Sequence, residues 1–142
     1  MDNYELEIQK ILNEIDYTKY KPLNEYQKET EYAVELIYEP FLRYPENTEN
    51  MALAKEEIVN YEYVRDINDI KIGSKVKYLT KRTFYNMRLS EEITITSKSR
   101  FFICGHLGLY VHRCKISNTH FFKKIDEDKL IKMKLVELTN DN

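Results

Sequence analysis

Glycine, proline, cysteine and tryptophan are all scarce in this 142-residue chain, which has three Gly, three Pro, two Cys and no Trp. Glycines only at 73, 105 and 108 cannot build a phosphate-cradling loop, and His-Glu-x-x-His and Gly-x-Ser-x-Gly are absent as well. Cys104 and Cys114 are too few for the disulfide framework of a small secreted domain, so a reducing, intracellular compartment is expected. No run approaches the roughly 18 apolar residues of a membrane span. The chain opens on Asp2, Glu5 and Glu7 instead of a basic and then apolar leader, so neither membrane association nor secretion is expected.

What is present is biased. Lys, Asn, Ile and Tyr make up 53 of the 142 residues. An adenine- and thymine-rich genome writes such a composition, which points to a large DNA virus or a similarly biased microbe, with the host cytoplasm or the virion as the setting. The length allows one modest core, or a compact domain with a packed helical arm.

The net charge of −2 conceals a division. Residues 1–64 carry 6 Lys/Arg against 15 Asp/Glu, a net −9, whereas residues 65–134 carry 16 against 7, a net +9. Halves of opposite sign attract each other or seek different partners. The chain therefore divides into an acidic helical region, 1–64, and a basic strand-rich domain, 65–142.

In the first region Tyr4, Ile8, Ile11, Leu12 and Ile15 recur at three and four residues, the spacing of one helical face. A second helix is predicted over Leu23–Tyr38, with Tyr26, Ala33, Leu36 and Ile37 inward and Pro40 ending it. The segment from Pro45 to Asn50 reads as a capping loop, and Met51–Asn60 as a short helix with Leu53, Ile58 and Val59 packed. Near Arg65 the period changes to two. Lys75–Lys81 alternates Val76, Tyr78 and Thr80 against Lys75, Lys77 and Lys81, and further strands are predicted at Phe84–Leu89, Ile93–Thr96, Arg100–Leu107, Leu109–Ile116 and Thr119–Ile125. In the tail, Ile131, Met133 and Leu135 fit a closing strand better than Ile131, Leu135 and Leu138 fit a helix. The fold class expected is α+β: two or three N-terminal helices, then a small antiparallel, SH3-like or related β-barrel.

Two constellations could carry function. In a hairpin centred on Leu109, Cys104 would oppose Cys114 and His106 would oppose His112, which places two thiols and two imidazoles on one strand face. That is a zinc-type ligand set, although Phe102, Tyr110 and Ile116 on the same face read as ordinary core with cysteines packed as small apolar residues. A cross-strand disulfide is the third reading. The second constellation is cationic: Lys75, Lys77, Lys81, Arg113, Lys115, Lys123, Lys124, Lys132 and Lys134, interleaved with Tyr78, Tyr85, Phe101 and Phe121. Such strands fit an acidic protein surface or self-association, and as an alternative a nucleic-acid backbone with stacked bases. Glu127-x-Lys129 lacks the upstream acidic partner of a nuclease site, and His120 lacks an orienting group, so no catalytic residue is assigned.

The stretches from Ile70 to Tyr78, from Phe102 to Gly105 and from Phe121 to Lys124 resemble a small β domain of uncharacterised proteins of nucleocytoplasmic large DNA viruses. The family pattern is a strand opening after an Ile-x-x-Gly turn, a Phe followed by paired glycines, and a last aromatic-basic strand. Cys104 stands where a first glycine is usual. The resemblance spans residues 66–125 and implies a small barrel with binding or virion-associated roles and no catalytic residues. A non-enzymatic binding or structural module is the expectation, with a nucleic-acid-binding accessory protein or a zinc-stabilised domain as alternatives.

Overall fold

A computed structural model describes residues 2–14, 20–81 and 86–140 as an α+β fold. Helices α1 (Asn3–Glu14), α2 (Leu23–Tyr38) and α3 (Glu46–Glu57) precede strands β1 (Tyr61–Tyr63), β2 (Lys75–Lys81), β3 (Met87–Leu89), β4 (Ile93–Lys98), β5 (Phe102–Leu107), β6 (Tyr110–Lys115) and β7 (His120–Lys124); α4 (Glu127–Asn140) closes the chain. The side chains expected on the apolar face of α1, and the start of the strand expected at Phe84, lie outside the described residues.

Helix α2 has the predicted bounds but a rotated inner face. Leu23, Thr30, Val34 and Tyr38 are buried, while Leu36 is half exposed. Pro40 ends the helix as expected, within a 3-10 turn over Glu39–Phe41. Helix α3 begins at Glu46, five residues earlier than the sequence suggests. Pro45 sets its entry, and Glu46 and Glu49 in its first turn complement the helix dipole. The side chains that pack are Ala54 and Ile58, and Leu53 and Val59 point outward.

At Asn60 the backbone turns through a left-handed φ of 70°, which stops the helical run and launches β1, a strand the sequence reading missed. Strand β1 pairs antiparallel with β7, so the acidic region contributes to the sheet itself.

All the pairings are antiparallel, in the order β1-β7-β2-β4-β5-β6, with β3 on the far end of β2. The sheet is rolled, since Tyr78 on β2 reaches His112 on β6 with Oη and Nδ1 2.6 Å apart. It is nevertheless open. Among the described residues no ladder joins β6 to β1, where the sequence suggested a closed barrel.

Strand β2 is buried on both faces and separates two cores. On one side Leu79, Met87 and Phe122 pack against Val34, Tyr38, Ala54 and Ile58 of the helices. On the other, Val76, Tyr78, Ile93, Ile95, Ile103, Cys114 and Phe121 enclose Ile70. Each fully buried large side chain contributes on the order of 1.5–3 kcal/mol. Because the first core is built from both charge halves, helices and sheet share one interior across residue 64.

The tail is helical. Its inward residues are Leu130, Met133 and Val136 at a spacing of three, with Met133 packed on Leu23 and Ile125, and Ile131 and Leu138 are turned to solvent. Glu127 and Asp128 in the first turn favour helix at that end. Glu62 of β1 accepts hydrogen bonds from Tyr26 Oη of α2 and Lys129 Nζ of α4, both at 2.8 Å, and so ties three elements together. Burial opposes the charge on Lys129, but the Glu62 carboxylate and Tyr26 outweigh it and raise the ammonium pKa. No described helix is long and apolar enough to cross a membrane.

Candidate binding surface

The Cys/His arrangement depends on register. In the structure Ile103 pairs with Cys114, Cys104 with Arg113, Gly105 with His112 and His106 with Val111. The hairpin turns on Gly108-Leu109, with Gly108 at the positive φ of 58° that a two-residue hairpin turn requires. That is one residue away from a hairpin centred on Leu109, and a slip of one sends alternate side chains to opposite faces. Cys114 and His112 therefore face the core side, where His112 meets Tyr78, while Cys104 and His106 face the other way. The four expected ligands do not converge, and among the described residues no group of three or more His, Cys, Asp or Glu side chains is arranged to hold a metal ion. Neither cysteine is in a disulfide.

The nine cationic residues disperse. Lys77 and Lys81 lie on the helix side of β2. The Lys77 ammonium donates to the Glu57 carbonyl at 3.1 Å and sits 5.1 Å from the Tyr61 ring centroid, and Lys81 lies 5.9 Å from that of Phe41. Lys75, Lys123 and Lys124 line a concavity of about 570 Å³ beside the start of α4, which also brings in Asp126 and Glu127. Lys123 is tied to the Asp69 carbonyl at 3.3 Å, and Lys124 lies 3.9 Å from Glu92. Lys132 and Lys134 belong to helix α4, not to a strand, and Lys132 rests 5.7 Å from the Tyr20 ring.

Arg113 and Lys115 differ from these seven. They lie on the side of β4–β6 that faces away from the second core, together with Thr94, Phe102, Cys104, His106 and Val111. The helices pack instead on β1 and β3. Both cations are exposed, and the Arg113 guanidinium lies 3.8 Å from the Phe102 ring centroid, which fixes its plane on the surface. From residue 93 to residue 125 the chain has six Lys/Arg and no Asp or Glu, a pattern readable in the sequence that summing charge over the larger half obscured. Among the described residues no carboxylate pairs with Lys98, Arg100, Arg113 or Lys115.

The tip of the β5–β6 hairpin adds an apolar element. Leu109 is 99% exposed, Tyr110 76% and Val111 64%, and Phe101 at the hairpin's far end is 61% exposed. Of these, the sequence pattern places only Tyr110 on a core face, with Leu109 at the hairpin's centre and Phe101 among the aromatics beside the cations, since an edge cannot be told from an interior strand by alternation alone. His120, by contrast, is held within the fold: burial lowers its pKa, and its Nδ1 lies 3.3 Å from Tyr63 Oη.

Comparison with family models, with curated proteins and with solved structures finds no match.

Proposed function

We propose that this chain is a non-enzymatic binding module whose acid-free hairpin end, β4–β6, contacts an acidic protein surface. The observation that carries the reading is the run Leu109-Tyr110-Val111, exposed at the end of the sheet beside the unpaired cations Arg113 and Lys115. Three consecutive exposed apolar residues are costly to keep in water unless something covers them. A purely phosphate-tracking surface has no use for them, whereas an interface with an apolar centre and a charged rim does. The acidic helices of a second copy are one such surface, which retains self-association as a special case. The bias towards Lys, Asn, Ile and Tyr supports a viral setting, and detection at fixed copy number in particles of the encoding virus tests that part.

One observation favours nucleic acid as the second reading. Phe101 is exposed with Arg100 5.4 Å from its ring, and Phe102 lies under Arg113, so aromatic faces and cations alternate as they do where single strands stack.

Fluorescence anisotropy with labelled poly-L-glutamate and with a labelled 20-nucleotide oligothymidylate, each at two salt concentrations, separates the readings. The full chain is expected to bind poly-L-glutamate, and the double variant Arg113→Glu, Lys115→Glu to lose that binding without a change in Tm. Tighter binding of the oligonucleotide, falling steeply with salt and weakened by Phe101→Ala, would transfer the assignment to nucleic acid. Concentration-dependent sedimentation of the chain alone would identify the second copy as the partner.

A further inference from the structure

We infer that the acidic partner is bound as an added β-strand: an extended acidic peptide pairs with the free edge of β6. This rests on the proposed acidic protein partner and specifies how it is held. Among the described residues β6 ends the sheet order, while the other edge strands, β1 and β3, lie against α2 and α3, so β6 is the edge on which no helix packs. In an antiparallel hairpin, hydrogen-bonded pairs alternate with pairs that direct their backbone groups outward. Leu107 and Tyr110 flank the two-residue turn as a bonded pair, and the Ile116 amide donates to the Phe101 carbonyl at 2.9 Å in the same phase. Tyr110, His112 and Cys114 thus serve the ladder to β5. Val111 and Arg113 point their amides and carbonyls away from it, along the edge. At Lys115 the row closes, because its carbonyl accepts Thr119 Oγ1 at 2.8 Å.

The side chains along that edge select the occupant. Val111 offers an apolar contact, and Arg113 and Lys115, on the same face, offer cations to carboxylates at alternate positions of an incoming strand. The same cations disfavour pairing of β6 with a second β6, since like charges would meet across the ladder. That is the usual defence of an edge against its own kind. A strand with alternating acidic and apolar residues satisfies the outward backbone groups, sets all its carboxylates on the face of Arg113 and Lys115, and lays its apolar residues on the opposite face beside exposed Tyr110.

The probe is an end-capped, fluorescently labelled octapeptide alternating Glu and Val, with a version N-methylated on alternate amides as control. The full chain is expected to bind the first and not the second, and hydrogen exchange at the Val111 and Arg113 amides is expected to slow on binding. Val111→Pro should weaken binding at least tenfold with little change in Tm, because it removes an outward donor and no bond to β5. Failure of the unmodified octapeptide to bind at millimolar concentration overturns the inference. So does equal binding of the N-methylated peptide, or unchanged exchange at both amides. If Val111→Pro lowers Tm, the N-methylated peptide and the exchange data decide alone. Poly-L-glutamate binding that needs Arg113 but leaves both amides unprotected would sink strand addition while leaving the acidic-surface assignment standing.

Discussion

Cys114 stands directly across the hairpin from Ile103, and this register buries its thiol in the second core while Cys104 looks out from the opposite face. Pairing the two cysteines would require β6 to slide by one residue and expose its core-facing set. In the native protein one thiol is expected to react readily with a disulfide reagent and the other only on unfolding. Cys104→Ala should change stability by no more than about 0.5 kcal/mol, and Cys114→Ala should cost roughly 1–2 kcal/mol by leaving a small cavity. Equal reactivity, or a stoichiometric zinc lost on Cys104→Ala, would reverse this reading.

Asn47 is fully buried and acts as a clamp between segments distant in sequence. Its Nδ2 donates to the Phe41 carbonyl at 3.0 Å, and its Oδ1 accepts the Met87 amide at 3.1 Å. The 3-10 turn, α3 and β3 are thereby joined at one amide group. Asn47→Ala should leave the buried Met87 amide without a partner and strip one of two donors from the Phe41 carbonyl, which the Tyr44 amide also serves at 3.2 Å, at a cost of roughly 1–3 kcal/mol. In thermal denaturation that corresponds to a fall in Tm on the order of 5–10 °C. Asn47→Asp should be no milder, because it removes the donor and buries a charge.

Both the legible and the illegible parts of this chain have physical causes. Strand β2 is legible with correct bounds because its alternation holds over seven residues, and helix α2 because Pro40 marks a stop, although the apolar residues that suggest its inner face are not the ones it buries. Strand β1 has only three residues, so no period could establish it, although the left-handed Asn60 before it and the Tyr-Glu-Tyr alternation were its trace. The tail offered two apolar patterns, and the structure uses a third, Leu130, Met133 and Val136. The acidic first turn of Glu127 and Asp128 favours helix there, a cue separate from the competing apolar spacings. As for the binding surface, the cations were visible in sequence, but which of them remain free depends on where the helices land.

Gly105 keeps β5 close to β4. A Cβ there would lie 2.8 Å from Ile93 Cδ1 and 3.0 Å from the Thr94 carbonyl oxygen, although its φ is not one that demands glycine. Gly105→Ala should therefore destabilise by roughly 1–3 kcal/mol through overpacking alone. Combining it with Ile93→Val, which removes the nearer atom, should cost less than the sum of the two single changes by at least about 0.5 kcal/mol. Strict additivity in chemical denaturation would mean that the clash is relieved elsewhere.

The alkaline limit of stability should be set by tyrosines. Tyr38 is fully buried and donates its hydroxyl to the Met87 carbonyl at 2.8 Å; burial, reinforced by Glu57, pushes its pKa up to about 12. Burial also raises the pKa of Tyr26 and Tyr61, each further raised by a carboxylate that accepts its hydroxyl proton, Glu62 for Tyr26 and Glu92 for Tyr61. A phenol raised above its unfolded value near 10 is protonated in the native state where the unfolded chain has begun to release the proton. Its contribution is complete below about pH 10 and declines as pH rises towards the folded value. The urea midpoint should therefore hold steady from pH 8 to about pH 10 and fall beyond it. Tyr38→Phe should lower the plateau by about 1 kcal/mol for the lost hydrogen bond. It should also make the alkaline decline shallower, because one raised phenol has been removed, whereas an unchanged slope would show that Tyr38 does not sense the solvent proton activity in the folded chain.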